Sequence, residues 1–277
     1  MRWKQFFTPV KTIQAPEAKQ FMAERSQEQF NLIDVRQPKE YEDRHLPGAK
    51  LIPIGEMDKH LAEIDPSKPT LVYCAVGGRS RVAAQMLSGK GFDGVINIAG
   101  GIKAWDGQVA VGAEETGLEL FTGKESIEET LVVAYSLEAG LRDFYLSMSG
   151  KVQQKPIQDL FRKLADIETL HQDRIFKEYL QISAKPVSRD AFENDLVVGA
   201  VEGGMTTDEY IRMFQPDWES AVDILSLAMS IEAQALDLYT RAAERSADPR
   251  SKDALKKIAE EERAHLAQLG RLMDEGV

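Results

Sequence analysis

Over the first hundred residues, short apolar runs alternate with helical patterns. Asn31-Leu32-Ile33-Asp34-Val35, Ala49 to Ile54, Thr70-Leu71-Val72-Tyr73 and Val95-Ile96-Asn97-Ile98 read as buried strands. Residues 16–25, 55–63 and 80–90 read as helices between them. Turn-forming residues fall at the joints: Pro38, Pro47-Gly48, Pro66, Pro69 and Gly77-Gly78. Strands alternating with helices predict a parallel sheet flanked by helices, an α/β domain.

After about Trp105 the rhythm changes. Gly107, Gly112, Gly117 and Gly123 punctuate a stretch that reads as a linker. Four long helical patterns follow, near 124–149, 154–183, 217–246 and 250–274. Their spacing predicts an all-α four-helix bundle. The long connection 186–216, with a short helix inside it, is expected to be a crossover. The predicted organisation is a domain over 1–112, a linker over 113–123 and a helical domain over 124–277.

Charge follows the same division. The 277 residues carry a formal net charge of −11. Residues 1–112 hold 15 basic and 13 acidic side chains, whereas 113–277 hold 19 and 32. An acidic chain of this kind is not expected to bind nucleic acid, which needs a cationic surface. One cysteine excludes a disulfide framework, a CxxC pair and a Cys₄ metal site, and fits a reducing compartment. No apolar run is long enough to cross a membrane, and Pro9 and Lys11 interrupt the stretch behind the positive start. The expectation is a cytoplasmic protein without membrane contact.

The helical half repeats itself. Ala134-Tyr135-Ser136-Leu137-Glu138-Ala139 aligns with Ala228-Met229-Ser230-Ile231-Glu232-Ala233, and His171 aligns with His265, each pair 94 residues apart. Glu168-x-x-His171 and Glu262-x-x-His265 each set a carboxylate and an imidazole on one helix face. Glu138 and Glu232 stand in the middle of apolar helix faces, where a carboxylate is costly unless paired or bound to metal. Four Glu and two His form an oxygen-rich set suited to two divalent ions. Glu42-x-x-His45 matches the same spacing, but it lies before Pro47-Gly48, where a helix should end, and is expected to be structural.

This six-residue pattern resembles the ferritin-like di-iron carboxylate family, above all the rubrerythrins, over residues 124–274. The resemblance implies two iron ions, with manganese or zinc also acceptable to the ligands. Glu168 and Glu262 would bridge them, and Glu138, Glu232, His171 and His265 would be terminal ligands. It further implies reduction of peroxide or dioxygen, and a homodimer. Two departures stand out. No Cys₄ iron site accompanies the pattern, so the electron donor must be external, and Ala235 occupies a position where rubrerythrins carry another carboxylate. Tyr145 and Tyr239 lie seven residues beyond Glu138 and Glu232. They read either as partners of the ligands or as core aromatics with a satisfied hydroxyl.

In the first half, Cys74-Ala75-Val76-Gly77-Gly78-Arg79-Ser80 links a strand to a helix. Two glycines let successive N–H groups converge, and the helix N-terminus adds partial positive charge. Such a loop lowers the pKa of a cysteine, and Arg79 and Arg81 add charge. These residues resemble the active loop of a single-domain rhodanese. Asn31 to Tyr41 with His45-Leu46-Pro47-Gly48-Ala49, and Gly91-Phe92 with Gly100-Gly101-Ile102 and Trp105, resemble that family's opening and closing signatures. The resemblance implies a Cys74 persulfide held by Ala75, Val76, Gly77, Gly78, Arg79 and Ser80. Thiosulfate or a persulfide would supply the sulfur, and a thiol or other nucleophile would accept it. Four residues separate Cys74 from Arg79, one fewer than in related phosphatases, which favours sulfur over a tetrahedral oxyanion. Asp34, Arg36 and Glu40 are expected to orient the loop or brace the sheet, and His45 to be structural.

The combined expectation is a sulfurtransferase fused to a di-iron oxidoreductase. The competing one is a sulfur-carrier or redox-sensing protein whose helical half serves metal binding and dimerisation.

Overall fold

The computed structural model describes residues 9–183, 186–194 and 201–274. The chain divides into two compact units, one ending at Glu114 and the other beginning at Glu115.

The first unit is a parallel five-stranded sheet among the described residues, in the order β1-β5-β4-β2-β3. The strands are β1 (Lys11–Ile13), β2 (Asn31–Asp34), β3 (Lys50–Leu51), β4 (Thr70–Tyr73) and β5 (Val95–Ile98). Helices α1 (Ala15–Ala23), α2 (Pro38–Asp43), α3 (Met57–His60) and α4 (Gly78–Gly89) connect them. Both faces are covered. Leu32, Leu71, Tyr73, Ile96 and Ile98 pack on one side, and Ile33, Val72, Ala83, Ala84 and Leu87 on the other. The chain leaves β2 toward β3 and leaves β4 toward β5. The sheet order therefore reverses between the neighbours β2 and β4, the position where open α/β sheets bind ligands at their carboxyl ends.

Three details differ from the sequence pattern. The strand expected over Ala49 to Ile54 pairs only at Lys50–Leu51, because Pro53 has no N–H to donate and a 3₁₀ turn follows at Ile54–Glu56. The helix expected over 55–63 is a chain of short turns around α3. The sequence pattern marks neither strand β1 nor helix α2. The first buries only Ile13, and the second is six residues long with Pro38 at its start.

The second unit contains α5 (Ile127–Ser149), α6 (Lys155–Ile182), α7 (Arg189–Glu193), α8 (Thr207–Phe214), α9 (Ala221–Arg245) and α10 (Pro249–Asp274). Ser126 caps α5 by accepting from the Glu129 N–H, and the Glu129 carboxylate returns to the Ser126 N–H. Helices α5 and α6 form one hairpin and α9 and α10 the other, joined by the crossover. Among the described residues the crossover carries two α-helices, α7 and α8, whereas the sequence pattern predicts one. Residues read as linker contribute Leu118 and Phe121 to the bundle core. Among the described residues, no helix is long and apolar enough to cross a membrane.

Candidate functional site

The loop after β4 brings Cys74 to the reversal point of the sheet. Cys74 is only 1% exposed, whereas Val76 at the loop tip is 60% exposed. Gly77 takes φ of +95°, a left-handed conformation open to glycine, and turns its N–H onto Cys74 Sγ at 3.1 Å. The Ser80 hydroxyl lies 3.5 Å from Sγ. Burial pushes the thiol pKa up. Hydrogen bonds from the Ser80 hydroxyl and from the N–H groups of Ser80, Val76 and Gly77 outweigh it and hold the thiol below its ordinary value.

The backbone behind the loop is locked. Ile102 N–H donates to Cys74 O at 2.8 Å, and Lys103 N–H to Ala75 O at 3.1 Å. Gly101 stands so close that a Cβ would lie 2.1 Å from Cys74 O.

Arg79 is clamped from α2. Its Nη1 and Nη2 donate to the Glu40 carboxylate at 2.7 and 2.6 Å, and this pairing lowers the Glu40 pKa to about 2. The pair is therefore intact at neutral pH and is lost only as pH falls from the ordinary carboxylate range toward 2. Asp34 and Arg36 form a buried pair, Nη2 to Oδ2 at 2.6 Å, and Arg36 also donates to Arg44 O. They brace the segment that carries Glu40. Glu40→Gln is expected to release Arg79 and slow the alkylation of Cys74 by iodoacetamide several-fold at neutral pH while leaving the unit folded, as alkylation rates and circular dichroism would show. An unchanged rate would mean that Arg79 needs no such clamp. His45 is wholly buried, stacks on Tyr41 at 3.6 Å and donates from Nδ1 to Tyr41 O, a structural placement.

In the second unit the repeat brings six predicted residues together. Glu138, Glu168, His171, Glu232 and Glu262 are buried, and His265 is nearly so. Each half of the repeat assembles its own triad. His171 Nδ1 lies 3.2 Å from Glu138 and 3.4 Å from Glu168, and His265 Nδ1 lies 3.6 Å from Glu232 and 3.9 Å from Glu262. The imidazoles meet between the triads, with rings 3.9 Å apart and Nε2 atoms at 2.8 Å. A contact of that length uses one shared proton. Consistently, the carboxylates Glu138 and Glu168 outweigh burial and raise the His171 pKa to about 11. Burial and the neighbouring His171 lower His265 to about 4.

The two histidines compensate the four carboxylates only in part. The oxygens of Glu168 and Glu262 form no well-aligned hydrogen bond to a described residue. Burial, then repulsion from Glu138, pushes Glu168 up to about 7, and the same causes push Glu262 well above its ordinary value. Removing a carboxylate from water costs several kcal/mol after relaxation, and a domain's net stability is only about 5–15 kcal/mol. Four such groups demand protons or cations. Glu138–Glu168–His171 and His171–Glu262–His265 each bring their ligand atoms within 4.8 Å of one another, close enough to share an ion. The two groups share His171, and their oxygen and nitrogen donors suit divalent ions.

A rubrerythrin family model matches residues 129–273, more than half of the chain. The chain belongs to the rubrerythrin family. Its first unit is a rhodanese-like domain, matched over residues 15–108. Similar proteins match parts of this chain. YrkF of Bacillus subtilis, named as a sulfur carrier, is 39% identical over 83 residues, which is 30% of this chain and 45% of that protein. An uncharacterised B. subtilis protein, YqhL, is 41% identical over 78 residues, 28% of this chain and 62% of that protein. The chain thus spans less than two thirds of these relatives. Among solved structures, a rhodanese-like domain protein from Staphylococcus aureus is 28% identical and wholly covered, over 38% of this chain, at a TM-score of 0.35. An E. coli rhodanese solved with anions is 34% identical, with 99% of it and 30% of this chain covered, at a TM-score of 0.28.

Within the rubrerythrin domain, Ala235 is fully buried in the apolar core. Tyr145 packs against Phe144 and Phe161, and Tyr239 against Phe121. Two features escaped the sequence pattern. Glu261 pairs with Arg174 beside the cluster, and burial raises its pKa to about 7. Asn97, a polar residue inside the β5 run, hydrogen-bonds to Ser80.

Proposed function

We propose that this protein transfers sulfane sulfur through Cys74 and reduces peroxide or dioxygen at a metal pair in its helical domain. The observation that carries the first part is the convergence of the Gly77 N–H and the Ser80 hydroxyl on a buried Sγ beside a clamped arginine. The Cys74 thiolate attacks the outer sulfur of thiosulfate. The S–S bond breaks, and sulfite leaves with its electron pair. The resulting persulfide anion is held by the loop amides as an oxyanion hole holds charge. An acceptor thiolate then takes the terminal sulfur, and Cys74 returns as thiolate. The exchange is redox-neutral. The name of the relative YrkF supports the carrier half of this reading.

Glu138 and His171 would hold one metal ion, Glu232 and His265 the other, with Glu168 and Glu262 between them. Two ferrous ions held there would supply the electrons that reduce peroxide to water. The four carboxylates balance the charge of two divalent ions, leaving the site neutral, and the surrounding core excludes bulk water. The electrons that restore the ferrous state come from a donor other than a Cys₄ iron site in these residues, which hold one cysteine. Stopped-flow mixing of the anaerobic ferrous protein with peroxide tests this. Oxidation faster than that of free ferrous iron is expected. Oxidation no faster than free iron would leave the helical domain a metal-binding and dimerising module.

A further inference from the structure

Ser80 has one proton and two acceptors. Its hydroxyl lies 2.7 Å from Asn97 Oδ1 and 3.5 Å from Cys74 Sγ, and it can donate to only one at a time. Ser80 and Asn97 are both buried, so water does not take over either bond. Behind Asn97 stands Thr12, its direct partner in the β1–β5 register, with Oγ1 at 3.4 Å from Nδ2. With Oδ1 toward Ser80 the amide is the nearer acceptor, and while the Ser80 proton lies there Oγ can accept from a protonated sulfur. A half-turn of the amide exchanges its ends. Nδ2 then donates to Ser80 Oγ, and the Ser80 proton is released to Sγ. Thr12 satisfies either orientation, because a hydroxyl both donates and accepts.

We propose that Asn97 is a positioning residue for the sulfur chemistry, its side-chain amide setting whether Ser80 donates to the amide or to Cys74 Sγ. The inference rests on reading Cys74 as the sulfur-bearing nucleophile. As thiol, sulfur donates to Ser80. As thiolate, it accepts the Ser80 hydrogen bond. One polar residue in an otherwise apolar strand thereby lets the buried site accommodate both charge states. Charged residues on the surrounding elements include Arg79 and Arg81 on α4, Lys39, Glu40, Glu42 and Asp43 on α2, the Asp34–Arg36 pair at the end of β2, Lys11 on β1 and Lys103 after β5. All stay unchanged in the variants below.

Asparagine-selective ¹⁵N labelling of the full chain tests this directly, because the sequence holds three asparagines, Asn31, Asn97 and Asn194. The Asn97 side-chain amide signal is expected to move with pH at the same midpoint as the reactivity of the lone cysteine toward iodoacetamide. The movement is expected to vanish in Ser80→Ala. A signal that stays still in the wild type, or still moves in Ser80→Ala, overturns the proposal. Asn97→Asp supplies a second measurement. Its acceptor-only carboxylate keeps the Ser80 proton from sulfur, so alkylation at neutral pH should fall about tenfold, equivalent to about one pH unit in the midpoint. In a Ser80→Ala background the same change should cost far less. An equal loss in both backgrounds would show plain charge repulsion, and no loss at all would dismiss the amide. If Asn97→Asp does not fold, the wild-type titration decides alone. Alkylation and the amide signal need no sulfur donor. Their failure is thus separate from failure of the transfer reading, which Cys74→Ala addresses.

Discussion

Cys74→Ala is expected to bring thiosulfate-dependent sulfur transfer down to the assay floor, a loss of about 10⁴-fold or more, as when a covalent nucleophile is removed. Cys74→Ser should do no better, because a hydroxyl at neutral pH neither attacks the sulfane sulfur nor carries it away as a good leaving group. Intact mass after incubation with thiosulfate should show one added sulfur atom in the wild type and none in either variant. The metal content of the protein should stay unchanged. Cys74 and the six proposed metal ligands belong to different compact units with separate cores, so deleting a sulfur atom from one leaves the other's side chains in place. Retained transfer in Cys74→Ala would sink the assignment of the nucleophile.

Metal loading should have the second large effect, on the unfolding temperature of the helical unit. An ion that binds only the folded state at a thousand times its Kd stabilises it by about 4 kcal/mol. In a unit of this size each kcal/mol moves the midpoint by about 2–4 °C, so the rise should be about 8–16 °C per ion. Differential scanning calorimetry with ferrous or manganous ion, and again after chelation, would measure it. The rhodanese-like unit should melt unchanged and serve as internal control. Glu262→Gln gives the sign its meaning. Glu262 is wholly buried and burdened by Glu138 and Glu232, and glutamine removes that charge at nearly constant volume. The metal-free variant should therefore be at least as stable as the metal-free wild type, while the metal-dependent rise collapses. A Glu262→Gln protein that gains the full rise would show that this carboxylate holds no ion.

Much of the architecture can be read from the chain. Apolar runs of four or five residues between helical stretches specify a covered parallel sheet. Four long amphipathic patterns specify a bundle, because residue spacing and helix or strand period belong to the same short stretch of backbone. Short elements carry too few buried positions to register. β1 contributes one buried side chain, and α2 begins at a proline that also reads as a turn. Leu118 and Phe121 look like linker among glycines, and only their packing against the bundle shows otherwise.

The candidate sites divide along the same line. The sequence by itself determined the inventory: a cysteine at the base of a two-glycine turn, and two Glu-x-x-His pairs with two lone glutamates repeated at an interval of 94 residues. Spacing along one helix or one loop is local and survives without a fold. Tertiary structure alone decided the partners. It set Glu40 against Arg79, grouped Glu138 with His171 and Glu232 with His265, brought the two imidazoles within 2.8 Å, and turned Asn97 of β5 toward Ser80 of α4. These contacts join residues 17 to 94 positions apart in the chain. No periodicity encodes such pairings, because they depend on how helices and strands pack once their apolar faces have been buried.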